Sequence, residues 1–243
     1  MSETAQISII TVVKNGSEYL EETILSVIEK METYLIDYII IDGGSSDGTT
    51  DIINKYSKYI TNWVSEPDKG IYDAMNKGWS IASDNSFIMF LGVGDRIISL
   101  PANMNIYSVD HVIYGSVKVG GGVVFKPRSD YHLNLYNSLH HQALLVNKSL
   151  HLSPPFNCSY QVYADFDFNQ RLKKLGAKFI YAVDFVGYAI PGGISDSGEF
   201  AESYSIIKEN EGYFWSTLAL SGYYAMKLFP FFKQLRPYRK ILN

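Results

Sequence analysis

The chain has 243 residues, 47% of them hydrophobic, which suits one compact domain with a tail. Its formal charge of −4 and pI near 5.7 give no overall attraction to nucleic acid, so no nucleic-acid partner is expected. The single Cys158 excludes an internal disulfide, and the first residues, MSETAQ, lack the basic start and long apolar run of a signal peptide, so a cytoplasmic setting is expected.

From Ile7 to Leu91 apolar strands alternate with helical patterns, the rhythm of a parallel sheet built from βαβ units. Strands are predicted at Ile7–Val13, Ile36–Ile41, Ile60–Val64 and Phe87–Leu91. Ser17 is expected to cap a first helix whose Leu20, Ile24, Val27, Ile28 and Met31 recur at core-facing spacing. A second helix is expected to start within Ser45–Thr50. A third, with Ile71, Met75, Gly78 and Ala82 on one face, follows Lys69-Gly70. After Asp95 the rhythm becomes α+β. His111–Lys118 and Val123–Lys126 flank three glycines as a hairpin or adjacent strands, Ala143–Val146 reads as a strand, a helix spans roughly Gln161–Leu175 and stops at Gly176, and Phe179–Val183 is another strand. The loop PGGISDSGE follows.

Ligands of open α/β sheets bind beyond the carboxyl ends of the strands, so the strand-to-helix turns are the candidate site. Thr11-Val-Val-Lys-Asn15-Gly16 ends the first strand, and Asp42-Gly-Gly-Ser-Ser-Asp-Gly-Thr49 ends the second. Small residues there admit a ligand to the backbone, and a carboxylate can accept from a base N–H or a ribose hydroxyl. Ordinary Asp-Gly turns look the same. No G-x-G-x-x-G and no G-x-x-x-x-G-K-[ST] is present, so phosphates need another partner, such as a divalent cation on Asp95 in Leu91-Gly-Val-Gly-Asp95. In Ser65–Gly78, Asn76 and Gly78 weaken a helix interior and suggest close approach to something.

These segments, TVVKNG, IIIDGGSSDGT, SEPDKGIYDAMNKG and FLGVGD, in order and at matching spacing, resemble the inverting family 2 glycosyltransferases of the GT-A fold, particularly bacterial members that build surface polysaccharides. The match is close over roughly the first 100 residues and looser to about residue 195. The resemblance implies a mostly parallel, Rossmann-like sheet with a nucleotide-sugar half (1–100), an acceptor half (101–199) and a helical tail (200–243). It implies that Thr11 and Asp42 contact the donor nucleoside, by resemblance uridine. Asp68, Lys69 and Asn76 line the other side of the donor, and Asp95 holds Mn²⁺ or Mg²⁺. The family's Asp-x-Asp is reduced here to Val93-Gly94-Asp95. His141, in His140-His141-Gln142, matches an element beside the donor diphosphate.

Tyr163-Ala-Asp165-Phe-Asp167 resembles the segment carrying the catalytic base, with Asp165 at the base position. Residues two apart on a helix point about 200° apart, so only one aspartate faces a substrate; Asp167 is expected to pair with Arg171. The implied reaction is one displacement with inversion, from a nucleoside-diphosphate sugar to a hydroxyl of a lipid-linked glycan. Gly192-Gly-Ile-Ser-Asp196 reads either as a lid or as a surface loop. The apolar stretch Tyr213–Phe232 is interrupted by Gly222, Lys227 and Pro230 and is followed by Lys233, Arg236, Arg239 and Lys240. It reads as a peripheral segment on the inner face of the plasma membrane, as a helix packed on the domain, or as a dimer contact. The alternatives are a nucleotidyltransferase and a sugar-nucleotide-binding protein without turnover. A nicotinamide oxidoreductase is disfavoured by the missing glycine fingerprint.

Overall fold

Strand β1 (Ile7–Val13) is buried along its whole length because it runs parallel between β2 (Ile36–Asp42) and β4 (Phe87–Gly92) and is covered on both faces. Alternate residues serve opposite layers: Ile7, Ile9 and Val13 join one core cluster, while Ile10 and Val12 join the other. The first cluster takes Leu20, Ile24 and Val27 of α1 (Leu20–Lys30) and Ile53 of α2 (Thr49–Lys55). The second takes Tyr72 and Met75 of α3 (Ile71–Ile81) with Phe166, Phe168 and Leu172 of α4 (Ala164–Lys174). The computed structural model describes residues 6–120, 122–192, 200–228 and 238–240, with Met226 and the last three by backbone alone.

The sheet continues beyond residue 100. It includes β3 (Asn62–Ser65), β5 (Arg96–Ser99), β6 (His111–Val119), β7 (Val123–Phe125), β8 (Leu144–Asn147), β9 (Lys178–Ala189) and β10 (Tyr238–Lys240). Its order is β10-β7-β6-β8-β4-β1-β2-β3, with β9 pairing β6 in parallel and β5 antiparallel. The parallel strands and the α+β half therefore share one sheet. β6 and β7 form the expected antiparallel hairpin.

Several local expectations are corrected. Ser17 does not cap α1, which starts at Leu20 after Tyr19; instead Gly16 O accepts from the N–H groups of Tyr19 and Leu20, forming a turn first. α4 starts at Ala164 rather than Gln161. Before it, the Glu202 carboxylate accepts from the N–H groups of Gln161, Val162 and Tyr163 and keeps that segment out of the helix. β9 is far longer than Phe179–Val183 because it pairs along nearly all of β6. Gly78 does mark the expected close approach: a Cβ there would lie 2.3 Å from Ile10 Cγ2, so its lack of a side chain lets α3 sit down on β1.

Helices α5 (Phe200–Glu211) and α6 (Tyr213–Leu228) bury Ile206, Ile207 and Ala219 in the second cluster. Tyr213, Phe214, Leu218, Tyr224 and Leu228 remain exposed along α6. No described helix is long and apolar enough to cross a membrane. MSETA at the start, Gly193–Asp196 of the expected lid, and Lys233 and Arg236 lie outside the described residues, as do the side chains of Arg239 and Lys240.

Candidate functional site

The turns that end β1 and β2 are zipped together. Asn15, at φ +50°, donates its N–H to Ser45 Oγ at 2.7 Å, and its side-chain oxygen accepts from Ser46 N–H at 3.0 Å. Gly16 N–H donates to Thr49 Oγ1 at 3.1 Å, and Ser17 N–H to Asp47 Oδ2 at 3.0 Å. The hydroxyl of Thr49 and these backbone donors hold the Asp47 carboxyl well below the usual carboxylate range. Asp42, fully buried, accepts from Ser45 N–H and hydroxyl and from the Ser65 hydroxyl at 2.5 Å. Asp68 closes on this unit: a Cβ at Gly43 would lie 2.1 Å from Asp68 Oδ2, so only glycine admits that approach.

Beyond these turns opens a cleft of about 2280 Å³. Lys14, Asp68, Asp95, His141 and Asp165 line it, as does one wall made by α5 and α6. Thr11 and Asp42 do not line it. Thr11 is fully buried with its hydroxyl 3.1 Å from Tyr38 Oη, and the oxygens of Asp42 are used within the turns. Lys69 is exposed outside the lining, and its N–H donates to Asp73. Asn76 is also outside it. Its amide clamps the backbone of Phe156, donating to the carbonyl at 2.9 Å and accepting from the N–H at 3.0 Å.

Asp95, 4% exposed, follows Gly94 at φ +89°, where a side chain would strike Ile190. Its Oδ2 accepts from Gly92 N–H at 2.9 Å and Gln142 Nε2 at 3.1 Å, and its Oδ1 accepts from Ile190 N–H at 3.2 Å. Nearby, Asp165 Oδ2 accepts from Asn137 Nδ2 at 2.9 Å, and its Oδ1 accepts from Phe166 N–H at 2.8 Å. Tyr72 Oη donates to Val162 O at 2.6 Å and lies 3.5 Å from Asp165 Oδ1. His141 joins the two aspartates, with Nε2 3.8 Å from Asp95 and Nδ1 3.6 Å from Asp165. Burial opposes charge on this ring, but the Asp165 and Asp95 carboxylates outweigh it and raise its pKa to about 9. Neighbouring His140 is driven the other way, to about 4, by burial and by the His141 charge.

Asp167 takes the expected structural place. It pairs with Arg171 Nε at 2.8 Å and accepts from Asn210 at 2.9 Å, away from the cleft. Sequence reasoning missed Asn137 and Gln142 as the residues that orient the two aspartates. Gln142 stood beside the histidine pair and was legible as a neighbour, whereas Asn137 lies in an irregular loop that offers no periodic signal.

Among the described residues no group of three or more His, Cys, Asp or Glu side chains is placed to hold a metal ion. Asp95 and His141 both face the cleft, however, and Asp95 retains acceptor capacity beyond its bonds from Gly92, Gln142 and Ile190. This donor set fits a hard cation that takes most of its ligands from bound phosphates and water, not one caged by protein alone. The paired carboxylates can also position a proton acceptor, Asp165, beside a site for an anionic group.

Residues 8–96 match the family model described as Glycosyl transferase family 2. The PGL/p-HBAD biosynthesis glycosyltransferase of Mycobacterium bovis (strain BCG / Pasteur 1173P2) is 29% identical over 151 residues, 56% of this chain and 57% of that protein. The chain thus spans just over half the length of this curated relative. S. aureus TarS 1–349 in complex with UDP-GlcNAc is structurally similar at a TM-score of 0.61 and 17% identity, covering 83% of this chain and 65% of that one. The mannosyltransferase PcManGT from Pyrobaculum calidifontis in complex with GDP-Man and Mn²⁺ matches at a TM-score of 0.62 and 16% identity, covering 92% and 76%. The chain therefore has the GT-A fold, and its residues 8–96 match glycosyl transferase family 2.

Proposed function

We propose that the protein is an inverting glycosyltransferase of cell-surface glycan synthesis, moving a sugar from a nucleoside-diphosphate donor to a glycan hydroxyl. The observation that carries this reading is the line Asp95–His141–Asp165 on one cleft wall, which sets a base beside an anion-holding group. Relatives and neighbours named for glycosyltransfer, one of them with UDP-GlcNAc, support it and favour a UDP-sugar.

In this reading Asp165 takes the proton of the acceptor hydroxyl on a carboxylate oxygen as the acceptor attacks the anomeric carbon. Asn137 and the Phe166 N–H fix the carboxylate, so the base is oriented before substrate arrives. Lys14 and Asp68 border the donor end, with Asp68 held against Gly43. Thr11 and Asp42 act by shaping the turns that meet the nucleoside. Asn76 acts by holding the Phe156 segment, and Lys69 adds positive charge nearby. Asp95 would hold Mn²⁺ or Mg²⁺, which when bound supplies Lewis-acid neutralisation of the diphosphate. The exposed aromatic side of α6 supports peripheral contact with a membrane that carries a lipid-linked acceptor.

The test is a thermal-shift panel of sugar nucleotides with and without Mn²⁺. One donor is expected to raise Tm in a concentration-dependent way and to be consumed when acceptor is present. Failure of every sugar nucleotide to bind at millimolar concentration would contradict the proposal.

A further inference from the structure

We infer that the cleft contains a second anion subsite, formed by Lys126 and Arg128, that takes a phosphate or diphosphate group of the acceptor. This rests on the transferase reading and extends it to the chemistry of the acceptor.

The cleft, at about 2280 Å³, exceeds the roughly 300–1,000 Å³ of a pocket for one small ligand, leaving room for an acceptor beside a donor. Its cations fall at two ends. Lys14 follows β1, beside Gly43 and Asp68. Lys126 and Arg128 follow β7 and are both exposed to the cleft. Among the described residues Lys126 has no hydrogen-bond or ion-pair partner. Arg128 Nη1 lies 2.8 Å from His132 Nε2, and Asp130 engages the other ring nitrogen of His132 at 2.6 Å. Asp130 hydrogen-bonds His132 and its charge also acts on Arg128, but the guanidinium keeps further N–H donors for a ligand.

The position of Arg128 relative to the expected base is fixed. Its N–H donates to Ser138 O at 3.0 Å, and its carbonyl accepts from the Ser138 hydroxyl at 2.5 Å. The residue before Ser138 is Asn137, whose amide holds Asp165. On the Lys126 side, the Phe125 ring packs 4.1 Å from His140, next to His141. Asp95, His141, Asp165, Asn137 and Arg128 thus follow one another through contacts or chain adjacency. A donor diphosphate belongs at the Asp95 end, the reacting hydroxyl at Asp165, and a second anion at Arg128. The same cleft carries an aromatic wall in which Phe200 and Tyr223 stack at 4.2 Å, suited to an apolar chain borne by that phosphate.

The test is calorimetric titration of geranyl diphosphate, and separately inorganic pyrophosphate, into protein saturated with UDP, for the wild type and for Lys126→Ala/Arg128→Gln. Both probes are expected to bind beside UDP and to weaken about tenfold or more in the variant, with UDP affinity held within about twofold. Tighter binding of geranyl diphosphate assigns the phosphate to an apolar carrier; equal binding assigns it to the anion alone. Unchanged affinity in the variant, or displacement of UDP by the probes, would overturn the subsite. Loss of UDP binding by the wild type would instead count against the donor reading, and the probes are then titrated without UDP.

Discussion

Asp165 is held by Asn137 through one amide hydrogen bond and bordered by His141, so its geometry depends on two neighbours from a different part of the chain. Replacing Asp165 by Asn keeps the volume but removes the proton acceptor. The expected result is a fall in kcat of about 10²–10⁴-fold with donor affinity nearly unchanged, read by donor consumption and by calorimetry. Asn137→Ala leaves the proposed base in place with the Phe166 N–H but without the side-chain donor that orients it. It is expected to lower kcat by about tenfold, with little change in the donor KM, from the loss of one hydrogen bond to a charged group. The sequence exposed Asp95, Asp165 and His141 through motif resemblance. It could not show that the buried oxygens of Asp42 answer Ser45 and Ser65 rather than the cleft, because an Asp in a glycine-rich turn reads alike in both roles.

At the level of elements, helix α3 shows how one pattern admits two causes. Gly78 and Asn76 both weaken a helix interior, and both are explained by packing: Gly78 by the approach to Ile10, Asn76 by its clamp on Phe156. Gly78→Val is therefore expected to destabilise the fold by about 1–3 kcal/mol, measured by urea unfolding, whereas a glycine kept only for a ligand would tolerate the change. The strands β1, β2 and β4 and the stripe of α1 were legible because runs of Ile and Val and a 3.6-residue spacing are local signals. The length of β9 and the start of α4 were not. Pairing with β6 fixes the former, and Glu202 of α5 holds the segment before the latter, both distant in sequence.

For the whole molecule, the half-buried His151 gives a signature in acid. Burial depresses its pKa from 6.5 to about 4, while Nε2 lies 3.2 Å from Val146 O and the ring packs on Phe168. The unfolded chain binds this proton at a higher pH than the folded one does. The stabilisation is therefore present above about pH 6.5 and lost as pH falls toward 4. His151→Phe is expected to flatten the pH dependence of stability in that window, and an unchanged slope in chemical unfolding from pH 7 to 4 would show that other groups set it. At the same scale, one sheet carries both the family-matched segment and the half that holds Asp165, so the proposed donor and acceptor sites share one support. The most direct measurement is turnover of a panel of nucleoside-diphosphate sugars, with a glycan acceptor and Mn²⁺, by the wild type and Asp165→Asn. The account predicts that one donor is consumed with inversion by the wild type, and that Asp165→Asn binds the same donor without turning it over. Equal turnover by the two proteins, or transfer with retention, would contradict it.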